Sequence, residues 1–153
     1  MKKLLLLTLC LIMLCGCKQS SQSNEDKQTE ITNNTVILEN EQSLKPGQPF
    51  DDPDTYLQDH ETLETESSAV FYTNEDAEIF VGMDGSVKKI TLLTDTYHLD
   101  NELKVGSSKN KVQKAYQHDP SAQDSSALTY QVDDIEITFS LKDDKVTKIE
   151  LQQ

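Results

Sequence analysis

The chain has 153 residues, a net charge of −13, 27% charged residues, 6% aromatic residues and no Trp. Its 14 basic residues are all Lys, so the guanidinium fork that reads phosphate bidentately is missing; with 27 acidic residues, this excludes nucleic acid as a partner and a basic patch as a membrane contact. The cysteines Cys10, Cys15 and Cys17 all fall within the first seventeen residues, so the rest of the chain can form no disulfide and must rely on packing and strand pairing.

In chain order, Lys2 and Lys3 precede an apolar run over Leu4–Leu14 that is too short to span a bilayer but has the length of a signal-peptide core. It ends in Leu14-Cys15-Gly16-Cys17, which resembles the lipobox of bacterial lipoproteins. The resemblance implies cleavage of a signal peptide over residues 1–16, recognised through Leu14, Cys15 and Gly16, and diacylglycerol on the Cys17 thiol with further acylation (palmitate). A multi-chain lipid anchor is effectively permanent, since each buried CH₂ contributes about 0.8 kcal/mol. The implied location is the cell membrane, lipid-anchored on its extracytoplasmic face. Loss of Lys2 and Lys3 with the signal leaves 12 Lys against 27 acidic residues, a mature charge of −15. Residues 17–43 are dominated by Ser, Gln, Asn, Thr, Glu and Lys and read as a disordered tether. Within it, the TVILE stretch at Thr35–Glu39 can alternatively add an edge strand.

The remainder contains a repeated signature. Val87–Leu92 reads VKKITL and Val146–Leu151 reads VTKIEL, fifty-nine residues later. Leu44-Lys45-Pro46-Gly47 matches Leu103-Lys104-Val105-Gly106 at the same offset, and Tyr72 matches Tyr130 at fifty-eight. Ala77, Ile79, Val81 and Met83 then align with Ile135, Ile137, Phe139 and Leu141, also at fifty-eight, with one residue inserted in the second copy's following turn. The expected domains are repeat 1 over 44–102 and repeat 2 over 103–153.

In repeat 1, Asp52 can cap a short helix with Pro53 at its first position, and strands are expected over Ala69–Thr73, Ala77–Met83 and Val87–Leu93. In repeat 2, Ser107 or Ser108 caps a helix whose Val112, Ala115 and Tyr116 form an apolar stripe, stopped by Asp119-Pro120. Strands follow over Leu128–Val132, Ile135–Leu141 and Val146–Leu151; Ile135–Leu141 alternates strictly, and Ile149 and Leu151 share a face whereas Val146 has the opposite parity, which places it at the strand entry or beside a bulge. The fold class expected is α+β: two tandem helix–β–β–β repeats, each an antiparallel three-stranded meander packed with a short helix.

Gly106, Val112, Pro120 and the strand pattern ending V··I·L resemble the BamE-like (SmpA/OmlA) lipoproteins, and tandem copies resemble the β-lactamase-inhibitor proteins. Gln117 stands where the family has a glycine, and repeat 1 keeps Gly47 but lacks the valine. The resemblance implies a fold, a lipoprotein context and partner binding, and carries no catalytic residue.

Residue chemistry points the same way. His60, His98 and His118 have no neighbouring ligand at metal spacing, and an enzyme would require them to converge with carboxylates. Asp51, Asp52 and Asp54 can offer oxygens to calcium but lack an EF-hand's geometry. Nucleophile elbows, phosphate loops and free mature thiols are absent from the sequence, so no enzyme activity, metal or cofactor is expected. Phe71, Tyr72, Phe80 and Tyr130 are the candidate partner surface. The expected function is an envelope lipoprotein acting as a protein-binding or adaptor module, with an envelope or extracellular protein as partner. The alternative is an inhibitor of an extracellular enzyme, which would need Tyr72, Asp76, Tyr130 and Asp133 exposed towards one groove.

Overall fold

The computed structural model describes residues 32–38, 40–65 and 69–153. The cleavage and lipidation residues Leu14, Cys15, Gly16 and Cys17, and most of the expected tether, lie outside them. In order, the described elements are β1 (Val36–Ile37), β2 (Ser43–Leu44), α1 (Pro53–Tyr56), β3 (Glu61–Glu64), β4 (Val70–Thr73), β5 (Ala77–Val81), β6 (Val87–Leu92), β7 (His98–Leu99), α2 (Lys109–Tyr116), β8 (Ala122–Gln123), β9 (Ala127–Val132), β10 (Ile135–Lys142) and β11 (Lys145–Gln152).

Local chemistry accounts for the elements. Ser108 caps α2 by accepting a hydrogen bond from the Lys111 amide, while Val112 and Tyr116 supply its buried stripe. Pro53 opens α1, but Asp52 makes no side-chain cap bond to the backbone; its carboxylate accepts the Thr55 hydroxyl instead, and α1 is only four residues long. TVILE forms a strand, but not at an edge: β1 lies between β2 and β7 as the middle of a three-stranded sheet, with Val36 fully buried. The strict alternation of Ile135–Leu141 becomes alternate burial along β10. Asp143 and Asp144 both take positive φ (53° and 54°) between Lys142 and Lys145, the backbone that a two-residue hairpin turn matching strand twist requires.

The larger sheet has eight antiparallel strands in the order β3-β4-β5-β6-β11-β10-β9-β8. This overturns the expected tandem helix–β–β–β repeats and with them the BamE-like and β-lactamase-inhibitor-like assignment. VKKITL and VTKIEL do not close two separate meanders. They pair with each other as β6 and β11, with Ile90 opposite Leu151 and Leu92 opposite Ile149. The physical reason is edge pairing: two isolated meanders would each leave a row of N–H and C=O groups unpaired at these apolar strands, and joining them satisfies both. β3 and β8 further extend the sheet beyond three strands on either side, and the single-turn α1 is too short to form a covering layer.

The internal similarity has a different meaning. Gly47 and Gly106 take φ of 86° and 88°, and their amides donate to the Val87 and Val146 carbonyls at 2.7 and 2.8 Å. The Val87 and Val146 amides donate back to the Gln48 and Ser107 carbonyls, both at 2.9 Å. The Leu-Lys-x-Gly segments are thus turns that latch onto the starts of β6 and β11, where glycine's tolerance of positive φ is required.

The offset of fifty-eight for the preceding strands is corrected by two residues. Ile79 lies opposite Ile90, whereas Phe139 lies opposite Ile149; Val81 faces Val87 as Leu141 faces Val146. So Ile79 corresponds to Phe139 rather than Ile137, and the extra turn residue belongs to the first hairpin (82–86 against 142–145). A slip of two preserves which side chains point inward, so alternation could not reveal it. Met83, aligned with the buried Leu141, is 78% exposed in the turn. Both hairpins carry a register shift at the same place, between Phe80 and Val81 and between Ser140 and Leu141, which puts Val146 beside a bulge at the entry of β11, where its parity allows it.

One core unites the described chain. The inner face of the large sheet packs against Val36, Leu44 and Leu99 of the small sheet, Leu57, Leu103, and Val112 and Tyr116 of α2. Among the described residues no helix is long and apolar enough to cross a membrane.

Candidate functional site

Cross-strand register assigns every sheet residue to a face, and this divides the four candidate surface residues. Tyr72, Ile79, Ile90, Leu151, Ile137 and Tyr130 are successive direct neighbours across six strands and form one inner-face row. Tyr72 and Tyr130 therefore stand at its two ends, roughly 24 Å apart at about 4.8 Å per strand. Tyr72 is half-buried against Phe50 and His60, with ring centroids 5.1 and 5.4 Å away. Tyr130 is fully buried, stacked on Tyr116 at 4.3 Å and edge-on to His118 at 5.5 Å. Burial, and secondarily the charge of Asp119, push the Tyr130 hydroxyl's pKa up.

The adjacent register row faces outward. Leu63, Phe71, Phe80 and Lys89 are direct neighbours on β3, β4, β5 and β6. Phe71 and Phe80 stack at 4.6 Å, both half-buried and outside the core, and Leu63 is 57% exposed. Glu78, Lys89 and Thr91 border the two rings in a shallow depression. Towards the middle of the sheet the same face becomes charged: Glu150 binds Lys89 at 2.5 Å and Lys148 at 2.7 Å. Partial burial pushes the Glu150 pKa up, but hydrogen bonds from Lys148 and Lys89 outweigh it and hold the carboxyl below its usual range. The outer face thus offers an apolar strip of three adjacent side chains bounded by an ion-paired centre, an arrangement suited to contact with another surface. Leu63 is the member the sequence reading passed over. Its only signal is a lone leucine in the polar run Glu61-Thr62-Leu63-Glu64, and a lone leucine discloses no face until β4 is paired to it.

The residues required for the inhibitor reading do not share a groove. Tyr130 is sealed in the core. Asp76 enters β5 and Asp133 enters β10; these strands run in opposite directions in the sheet order, so the two turns lie at opposite ends of it. Nor do the three histidines come together: each Nδ1 meets a nearby backbone carbonyl, His60 that of Leu57 at 2.9 Å, His98 that of Leu99 at 2.8 Å and His118 that of Tyr116 at 2.5 Å. His60 and His118 pack against the tyrosines at opposite ends of the inner row. Among the described residues no three His, Cys, Asp or Glu side chains are grouped to hold a metal ion, Asp51, Asp52 and Asp54 included.

No known protein family matches the sequence, and no curated protein matches it either. Among solved structures, the chain is similar to an extracellular protein containing an SCP domain from Bacillus anthracis str. Ames (TM-score 0.45, 9% identity, 89% of this chain and 49% of that one). It is also similar to a DUF4309 family protein (YjgB) from Bacillus subtilis subsp. subtilis str. 168 (TM-score 0.36, 10% identity, 70% of each chain). The chain spans about half the length of the first of these. At these TM-scores neither likeness assigns a fold or a function to it.

Proposed function

We propose that this protein is a lipid-anchored, extracytoplasmic binding module of the cell envelope that acts by contact and performs no chemistry. Anchoring rests on the signal-like apolar run and the Leu14-Cys15-Gly16-Cys17 motif, with the lipid carried by Cys17. Binding rests on one observation: Leu63, Phe71 and Phe80 form a continuous apolar strip on the outer face of the eight-stranded sheet, outside the core. The partner is an envelope or extracellular protein with a complementary apolar ridge.

Photo-crosslinking residues placed at Phe71 and Phe80 in cells test the reading. The expected outcome is a discrete crosslinked protein that disappears when the crosslinker is moved to Thr138, on the same face but in its polar part. Equal background at all three positions would sink it. Cys17→Ser is expected to release the protein from the membrane fraction.

A further inference from the structure

At one end of the large sheet a cavity of about 540 Å³ opens between the residues entering β3 and the β4–β5 turn. Gln58, Asp59 and Glu61 form one wall, and Thr73, Asn74, Glu75 and Asp76 the other. Tyr97 completes it. Asn74 ties the walls together: its Nδ2 donates to the Gln58 carbonyl at 3.2 Å, while its Oδ1 accepts the Asp76 and Ala77 amides at 3.0 and 2.9 Å. Asp76 is held in place because its Oδ1 accepts the hydroxyls of Thr94 and Thr96.

Two independent features mark this cavity as a binding site. The first is uncompensated charge. Asp59, Glu61, Glu75 and Asp76 line one opening, and none has a cationic partner among the described residues. Elsewhere, Asp84, Asp95 and Glu150 are paired with lysines, while Glu136 and Asp143 also lack a cation among the described residues; Asp59, Glu61, Glu75 and Asp76 differ in sharing one cavity. The second is Tyr97. It is only 4% exposed, and its hydroxyl has no hydrogen-bond partner among the described residues. Tyr97 lines this cavity, and its hydroxyl is not among the sealed orphan atoms, which are Asp100 Oδ1 and Tyr130 Oη. A largely buried side chain that lines a cavity with its polar atom unpartnered is a candidate recognition element.

The chemistry of the walls selects the ligand. The carboxylates are not grouped for metal coordination. They surround a space large enough for an organic group, with Tyr97 among its lining residues. We infer that this cavity binds an organic cation, a primary ammonium or a guanidinium, through Glu61, Glu75 and Asp76, with the Tyr97 ring or hydroxyl completing the contact. Carboxylates give charge-assisted hydrogen bonds to such a group, and a tyrosine adds a cation–π or acceptor contact. The cation comes either as a free amine or as the Lys or Arg side chain of a basic peptide. The site is separate from the Phe71–Phe80 strip, so crosslinking at the strip and cation binding here can fail independently.

The test is titration of the mature chain at 150 mM NaCl (about the physiological ionic strength) with cadaverine, free arginine, tri-lysine and tri-arginine, followed by NMR amide shifts. The expected result is saturable shifts centred on Asp76 and Tyr97. Glu61→Gln with Glu75→Gln should weaken binding by on the order of tenfold, and Tyr97→Phe by a smaller factor. Glu61 and Glu75 are exposed, so both variants should fold. Asp143→Asn with Asp144→Asn removes the same charge from a distant turn and should leave binding unchanged. Saturation by the free amines identifies a small-molecule ligand, whereas saturation by the peptides alone identifies a side chain; either supports the site. Absence of saturation, shifts centred elsewhere, or equal weakening by the distant variant would overturn it.

Discussion

Thr91 lies directly opposite Glu150 at the β6–β11 junction, and each is the fifth residue of its VKKITL or VTKIEL segment. Around this pair the register is reciprocal, Ile90 with Leu151 and Leu92 with Ile149. Two similar strands therefore meet antiparallel through the same face, with Thr91 buried at 4% exposure and the Glu150 carboxylate gathering Lys89 and Lys148 beside it.

Glu150→Gln should destabilise the fold by about 1 kcal/mol or less at low salt and pH 7, because the lysines are partly solvated. The Glu150 pKa is depressed in the folded chain, so the stabilisation is present above its ordinary value of 4.5 and is lost as pH falls through the folded value. The Tm gap between wild type and variant should shrink on acidification below 4.5. A gap that is constant between pH 7 and pH 3 would contradict the pairing.

Tyr130 is buried with its hydroxyl unpartnered among the described residues. Tyr130→Phe removes an unsatisfied polar atom and keeps the stacking on Tyr116, so stability should be unchanged or raised by up to about 1 kcal/mol. Tyr130→Ala should cost about 3–5 kcal/mol as a core truncation. Denaturant unfolding of the two variants checks the contrast; a loss above 1 kcal/mol in the Phe variant would mean that the hydroxyl has a partner.

Gly106 has φ of 88°, and a Cβ added there would meet nothing within 4 Å. Gly106→Ala therefore isolates the backbone penalty of a left-handed residue, about 1–2 kcal/mol. Its amide anchors the start of β11 through the Val146 carbonyl. Hydrogen exchange should accelerate at Val146, whose own amide bonds the following turn residue, Ser107.

Asp143 and Asp144 both occupy the left-handed region. Asp143→Asn with Asp144→Gly should raise stability by about 0.5–1 kcal/mol, since Asn-Gly is the preferred pair for such a turn and adjacent like charges are removed. Thermal unfolding measures this, and an unchanged or lowered Tm would refute it.

Several features could be read directly from neighbouring residues. The α2 stripe of Val112, Ala115 and Tyr116, its Ser108 cap, the β10 alternation and the bulge beside Val146 all depend on periods and turn chemistry within about ten residues. Face assignments survived even where the alignment slipped by two, as with Ile79 and Phe139, because the strand period is two. The candidate sites were harder to read. Phe71 and Phe80 stand out in the sequence as aromatic surface candidates, but their neighbour Leu63 and the separation of Tyr72 from Tyr130 follow only from pairing between strands. Asp76 and Tyr97 are twenty-one residues apart, and nothing local joins them to Asp59 and Glu61.

By itself, the sequence determined the confinement of its cysteines to the first seventeen residues, the six central strands of the large sheet, the α2 helix, and the resemblance between VKKITL and VTKIEL. Only the tertiary structure decided what that resemblance is for. Periodicity specifies which face of a strand is buried but not which edge meets which. Edge choice depends on the backbone hydrogen bonds of strands far apart in the chain, and there β6 and β11 satisfy each other instead of closing two separate repeats.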